Sequence, residues 1–216
     1  MKTLLTVALA SAAGLATANP FVSQAQSGTA PTNVVNLLDY ATVTTGMRDS
    51  FQTVDVTFDN DIEFTAGFPN ATHAYVLDFS GLFGFSGESA YITAVGWDTT
   101  HTAYSPSWLA DLRFEMTDLD ALTGIGLSPS ATSGPGGPEN NSSGGLVDLI
   151  GLGLDFTLTD GMMLLTVWDT FDDFLGGAEG TLFAGSTLSF QAKVVPTPGA
   201  IAVLGLGGLV AGRRRR

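Results

Sequence analysis

The sequence predicts an all-β fold, specifically an antiparallel β-sandwich. Apolar and polar side chains alternate with a period of two in several separate runs, and clusters of glycine, asparagine, aspartate and proline divide those runs. The body of the chain has no sustained apolar stripe with the 3.6-residue period of a helix. Short strands that each have one apolar face bury those faces by packing as two sheets over a shared core.

Five runs carry this alternation. Their inward positions are predicted to be Val54, Val56 and Phe58; Tyr91, Thr93, Val95 and Trp97; Leu112, Phe114 and Met116; Leu154, Phe156 and Leu158; and Leu188, Phe190, Ala192 and Val194. The residues between them should face water or a second covering layer, because successive side chains of a strand point to opposite faces.

One segment of the body lacks any apolar side chain larger than alanine. It runs from Ser128 to Gly145 and is rich in serine, glycine, proline and asparagine. Such a segment buries too little surface to order itself, so we expect a long, flexible, exposed loop over residues 128–145. The halves on either side are short for separate cores, so residues 19–195 are predicted to form one domain.

The charge of the body is strongly acidic. All 21 acidic residues lie between the two terminal segments, together with only Arg48, Arg113 and Lys193, which gives a net charge of about −18 against −13 for the whole chain. Such a surface repels nucleic acid and can collect divalent cations. The chain has no cysteine, which excludes disulfides, thiolate zinc sites, iron–sulfur clusters and a cysteine nucleophile.

The first residues have the three parts of a secretory signal. Lys2 provides the positive start, Leu4 to Leu15 is uncharged and apolar, and Ala16 and Ala18 supply the small residues that a signal peptidase recognises. We therefore expect residues 1–18 to be a signal peptide that contains an N-terminal helix, and signal peptidase to be a partner.

The last residues combine Pro196-Thr197-Pro198, an apolar run over residues 199–212 predicted to be helical, and Arg213, Arg214, Arg215 and Arg216. As a helix the run would span about 21 Å, less than the roughly 30 Å of a bilayer core. The arginines favour the cytoplasmic side. This arrangement predicts transient membrane contact during export; the alternative is a permanent C-terminal anchor.

The tail VPTPGAIAVLGLGGLVAGRRRR resembles the PEP-CTERM sorting signal, with threonine where that motif has glutamate. The resemblance covers residues 196–216 and implies an exosortase-like membrane enzyme as a partner, which would remove the tail. It also implies export through the inner membrane to the cell surface or extracellular matrix of a Gram-negative-type bacterium.

A second resemblance covers residues 90–190. A strand followed by His101-Thr102, Asp111-Leu112 opening the next strand, and Asp169, Gly180 and Leu182 before a last strand occur in the order found in the P-domain of proprotein convertases. The chain departs from that family in the long segment 128–145 and in an insertion over residues 104–110. The resemblance implies a jelly-roll sandwich and a non-catalytic module, with calcium held by Asp111 and Asp169.

Acidic clusters also predict calcium from the residues alone, because calcium prefers several carboxylate oxygens. The candidates are Asp169, Asp172 and Asp173 after a strand, and Asp59, Asp61 and Glu63, which share one strand face. Neither set matches the EF-hand loop, and a solvated acidic turn is the alternative.

No catalytic residue can be assigned from the sequence. It contains two histidines, no G-x-S-x-G and no H-E-x-x-H. Tyr104 and Trp108 lie in a Ser/Pro loop and are the predicted ligand contacts, because exposed aromatic faces stack on sugars. We therefore expect a non-catalytic surface or matrix component that contacts extracellular polysaccharide or serves adhesion. The alternatives are a secreted hydrolase and a purely structural matrix component.

Overall fold

The computed structural model describes residues 21–26, 31, 33–48, 51–67, 73–85, 87–120 and 123–195. The predicted signal peptide, the sorting tail and both of their predicted helices lie outside these residues. Within the described ranges, no helix has the length and apolar character needed to cross a membrane.

The described chain is built from strands, with one four-residue helix, α1 (Leu149–Leu152). The strands are β1 (Val22–Gln24), β2 (Val34–Asn36), β3 (Ala41–Arg48), β4 (Phe51–Phe58), β5 (Ile62–Thr65), β6 (His73–Asp78), β7 (Ser89–Ala103), β8 (Leu112–Thr117), β9 (Gly124–Leu127), β10 (Gly136–Ser142), β11 (Val147–Asp148), β12 (Phe156–Leu158), β13 (Met162–Asp169), β14 (Ala178–Leu182) and β15 (Thr187–Val195). Short 3-10 turns occur at Leu37–Asp39, Gly81–Phe83 and Leu109–Asp111.

The strands form two sheets, which confirms the predicted all-β sandwich. Sheet 1 has the order β1-β9-β8-β13-β6-β2 and sheet 2 the order β3-β4-β15-β7-β14-β5. All pairings between the named strands are antiparallel except β2 with β6. The apolar faces of both sheets contribute to one buried cluster, as expected where two sheets share a core.

Strand β7 organises sheet 2. Its 15 residues pair with β15 and β14 along one edge and with β10, β11 and β12 along the other. These are opposite edges of β7, because a single residue, Asp98, lies opposite Thr187 of β15 on one side and Ser142 of β10 on the other. Five other strands therefore form backbone hydrogen bonds with this one strand.

The core positions predicted from alternation are confirmed on β4, β8 and β15, where every inward residue is buried. Phe190 of β15, for example, packs edge-on against Phe79 with ring centroids 5.9 Å apart. On β7 the prediction for Tyr91 is wrong. The register of β15 with β7 shifts between Gln191 and Ala192, so Ile92 takes the core position and Tyr91 turns outward.

The prediction of a flexible exposed loop over residues 128–145 is wrong for residues 136–142, whereas residues 128–135 and 143–145 contain no strand or helix. Residues 136–142 form β10, which pairs with β7 at Ser142–Asp98, Asn140–Thr100 and Glu139–His101. The segment has no apolar face, but it satisfies the backbone donors and acceptors along one edge of β7. Side chains add to this pairing: the Asn140 amide donates to Asp98 Oδ1 and Thr100 Oγ1, both at 3.0 Å.

Candidate functional site

Carboxyl groups from three chain segments meet at one end of the sandwich. Asp111 ends the 3-10 turn before β8, Asp169 is the last residue of β13, and Glu179 is the second residue of β14. The antiparallel register of β13 with β8 places Asp169 opposite Leu112, directly beside Asp111. Pairing of the strands therefore brings together acids that are far apart in sequence.

Asp169 is fully buried, with 0% of its surface exposed. Its Oδ1 accepts the Phe171 N–H at 2.9 Å, whereas its Oδ2 has no hydrogen-bond partner among the described residues. Burial raises the pKa of Asp169 to about 7, with smaller contributions from Asp111, Glu179 and Asp173. Burying a carboxylate oxygen that accepts no hydrogen bond costs free energy, and a bound cation would offset that cost by coordinating the oxygen.

Unlike Asp169, Asp111 and Glu179 accept hydrogen bonds from the protein at both of their carboxyl oxygens. Asp111 Oδ2 accepts the Trp108 N–H at 3.1 Å, and its Oδ1 accepts the Thr170 hydroxyl at 3.4 Å. Burial is the main cause that raises the pKa of Asp111, and the neighbouring acids add to it. These contacts fix the side chain between the loop before β8 and the end of β13.

Glu179 is fully buried and connects the two loops at this end. Its Oε1 accepts the backbone N–H groups of Asp173 and Phe174, both at 3.0 Å, and its Oε2 accepts the Ser107 hydroxyl. Because three donors surround the carboxylate, Glu179 fixes the loop after β13 against the loop before β8.

A cleft of about 310 Å³ opens above this group. It is lined by Pro106, Trp108, Asp111, Phe171 and Asp173. Trp108 is 48% exposed and Phe171 62% exposed, so two aromatic side chains face solvent beside two carboxylates. We call this the Trp108–Phe171 cleft.

The calcium candidates after β13 are only partly brought together. Asp111, Asp169 and Asp173 share this end of the sandwich, but Asp172 is exposed and its Oδ1 accepts the Gly176 N–H at 3.3 Å. Among the described residues, no three histidine or carboxyl side chains are already arranged as a metal-binding group. The oxygen donors and the unpartnered Asp169 Oδ2 nevertheless suit calcium chemically.

The second candidate set is dispersed. Asp59 accepts the Thr42 hydroxyl at 3.0 Å and 3.2 Å, Asp61 accepts the Ala184 N–H at 2.8 Å, and Glu63 is exposed on β5. Two of the three acids thus bind groups of the protein itself, and the structure does not bring the three into one site.

Of the two aromatic candidates, only Trp108 lines the cleft. Tyr104 is partly exposed, and its hydroxyl lies 2.7 Å from Thr181 Oγ1 on β14. Sequence reasoning missed Phe171 and Glu179. Phe171 stands between predicted calcium ligands in an acidic turn that contains glycine, and this position could have predicted that its side chain is exposed. No comparable sequence feature marks Glu179.

The predicted cleavage residues Ala16 and Ala18 and the sorting residues Pro196, Thr197, Pro198 and Arg213 to Arg216 lie outside the described residues. Comparison with protein-family models gives no match, and comparison with curated proteins gives no significant match.

Proposed function

We propose that this is an exported surface or extracellular-matrix protein whose body is a non-catalytic module that contacts glycans at the Trp108–Phe171 cleft. The observation that carries the proposal is the pairing of two solvent-facing aromatic rings with the carboxylates of Asp111 and Asp173 in one cleft. Aromatic faces stack on the apolar face of a sugar ring, and carboxylates accept hydrogen bonds from sugar hydroxyls.

Calcium at this end of the sandwich is part of the proposal. Asp111, Asp169 and Asp173 would hold it, and Asp172 would have to turn inward to join them. The support is the unpartnered, buried Asp169 Oδ2 and the mutual repulsion of the acids around it. A bound cation would satisfy that oxygen and lower the repulsion, fixing the loop that carries Phe171.

The route to the surface is proposed from the terminal segments. Residues 1–18 would be removed by signal peptidase, and residues 196–216 would be recognised by an exosortase-like enzyme after transient membrane contact. The tripartite tail supports this sorting. The intact mass of the protein purified from its native host tests it: a species that still ends at Arg216 would contradict tail removal.

The jelly-roll arrangement implied by the P-domain resemblance is likewise a proposal. Its support is the way the chain crosses between the sheets, from β5 in sheet 2 to β6 in sheet 1, back to β7 and again to β8.

A secreted glycoside hydrolase is the second candidate, and one observation favours it. Asp169 is a carboxyl group with a pKa of about 7 beside a second carboxyl, Asp111, and such pairs serve as acid and base in glycosidases. Binding is preferred because Asp169 is fully buried and does not line the cleft, so its proton is not presented to a ligand there.

A glycan array probed with the protein in calcium and again in chelator tests both candidates. We expect calcium-dependent binding to a defined sugar that Trp108→Ala and Phe171→Ala each weaken about tenfold or more, because each removes a stacking face. Phe85→Ala is the matched control, since Phe85 is also a partly exposed aromatic residue but does not line the cleft.

Binding that the cleft variants leave unchanged would contradict the assignment of the cleft. The array hits are then incubated with the protein and assayed for new reducing ends. Release of reducing ends that Asp169→Asn abolishes would favour the hydrolase, and a negative array in both conditions would favour the purely structural matrix component.

A further inference from the structure

One edge of sheet 2 is long and open to solvent. Strand β3 lies at the end of the strand order and pairs only with β4 among the strands that the structure describes. This pairing continues from Ala41 to Arg48, eight residues, without a register shift. Residues 42–48 are all exposed except Val43, which is half-buried. The side of β3 away from β4 therefore presents a straight, accessible strand edge.

The other outer strands of the two sheets are protected against pairing with a further strand. Strands β1 and β2, at the edges of sheet 1, have three residues each. Strand β5, at the far edge of sheet 2, has four residues and carries Glu63. Strand β10 contains Pro138 and a register shift between Gly136 and Glu139. Shortness, charge, proline and bulges all prevent edge-to-edge association, and β3 has none of these features over residues 41–47.

The exposed edge is suited to pairing with an identical strand. Residues 42–47 are threonine, valine, glycine and methionine, so they carry no charge although the body has 21 acidic residues. An antiparallel pair centred on Thr45 would match the whole exposed stretch with its counterpart, and residues that stand opposite each other would point to the same face. In that register Val43 of one copy lies opposite Met47 of the other. Met47 is 68% exposed, so pairing would cover an apolar side chain that now faces water.

We propose that β3 pairs edge to edge, in antiparallel orientation, with β3 of a second copy of this chain. The two copies of sheet 2 then form one continuous sheet, in which backbone hydrogen bonds supply the attraction. The like charges of the two bodies repel each other, and an uncharged edge is where they can approach most closely. In the register centred on Thr45, the Arg48 residues lie opposite Thr42 rather than opposite each other, so no like charges are paired across the two strands.

This pairing does not depend on the function proposed for the Trp108–Phe171 cleft, and disulfide cross-linking of the full chain tests its register. The chain has no cysteine, so Thr45→Cys introduces a single thiol. In the proposed register the two thiols stand directly opposite, with Cα atoms about 4.5–5.5 Å apart, which is within the range of a disulfide. Under mild oxidation we expect a linked dimer on a non-reducing gel. Thr157→Cys, at an exposed position of β12, is the control for random collision and should cross-link at least about tenfold more slowly.

Sedimentation of the full chain over a range of concentrations measures the association itself. A seven-residue strand pair is smaller than the roughly 1,600 Å² of a standard interface, so we expect dimers in the micromolar range or above, and more of them at high salt, which screens the repulsion. Thr45→Lys should weaken the dimer about tenfold or more, because it places two positive charges opposite each other, whereas Thr157→Lys should behave as the parent does. Melting curves verify that both variants are folded. A parent chain that stays monomeric, a dimer that Thr45→Lys leaves intact, or equal cross-linking at positions 45 and 157 would each overturn the proposal.

Discussion

Replacing Arg113 with methionine is expected to lower the free energy of unfolding by about 3–5 kcal/mol at pH 8. Arg113 Nε donates to Glu115 Oε1 at 2.7 Å, and the two side chains are 14% and 1% exposed. Without the guanidinium, Glu115 retains the Gln26 N–H at 3.3 Å as a donor, but its charge has no counterion in a buried position.

The same substitution should loosen the N-terminal strand. Arg113 also donates to the Ser23 hydroxyl at 2.9 Å and to the Gln24 carbonyl at 3.3 Å, so it ties β1 to β8. For a chain of this size, 3–5 kcal/mol corresponds to a fall in melting temperature of about 6–20 °C. Limited proteolysis should cut near β1 before the rest of the sandwich.

The destabilisation caused by Arg113→Met should depend on pH, which identifies its cause as electrostatic. Burial already raises the pKa of Glu115 even though Arg113 opposes the shift. Loss of Arg113 raises this pKa further, and a carboxyl with a raised pKa costs stability as pH rises through it. The destabilisation should therefore be larger at pH 8 than at pH 4.

Thermal unfolding followed by circular dichroism at both pH values measures the effect. Lys193→Ala, which removes an exposed positive charge, should change stability by no more than about 0.5 kcal/mol. Arg113→Met/Glu115→Met should recover most of the loss, because it removes the buried charge as well. An equal loss at both pH values, or no recovery in the double variant, would refute the electrostatic explanation.

Two further predictions concern the end of the sandwich that carries the cleft. In chelator, the melting temperature should fall as pH rises from about 4 to about 7, because the pKa of Asp169 is raised to about 7 in the folded protein and burial disfavours its ionised form. Asp169→Asn should reduce the dependence of the melting temperature on pH. An unchanged dependence in this variant would contradict the role of Asp169. Gly180→Ala should destabilise the protein by about 1–3 kcal/mol or more, because the added Cβ would lie 2.2 Å from the Thr102 carbonyl oxygen and 2.5 Å from Phe64 Cζ. Gly134→Ala, where the added atom meets nothing within 4 Å, is the control, and equal melting temperatures for the two variants would contradict the packing argument.

The strands that could be predicted from sequence are those with an uninterrupted alternation. Residues 54–58 and 188–194 keep one parity throughout, so their inward side chains were identified correctly. Tyr91 was misplaced because a bulge changes the parity of β7, and a bulge leaves no periodic signal. Residues 136–142 were misassigned because backbone pairing to an available edge needs no apolar side chains.

The candidate site was predictable only where its residues stand out locally. Asp111, Asp169 and Trp108 were identified, and the structure places them at one end of the sandwich. Glu179 was missed because it is a single acid among small residues, and its contact with Ser107 depends on the pairing of β14 with β7. Asp172 was included because it is adjacent in sequence, although it binds Gly176 within its own turn.

The central position of β7 has a consequence for when the chain can fold. Val95 of β7 pairs with Phe190 of β15, close to the end of the described residues, so sheet 2 cannot close until nearly the whole body is available. Contacts between residues so distant in sequence make folding slow, on the order of milliseconds to seconds for β-sandwiches. Until β15 is available, β4 and β7 lack the strand that joins them in sheet 2, so the body stays incompletely folded until the last of its strands is made.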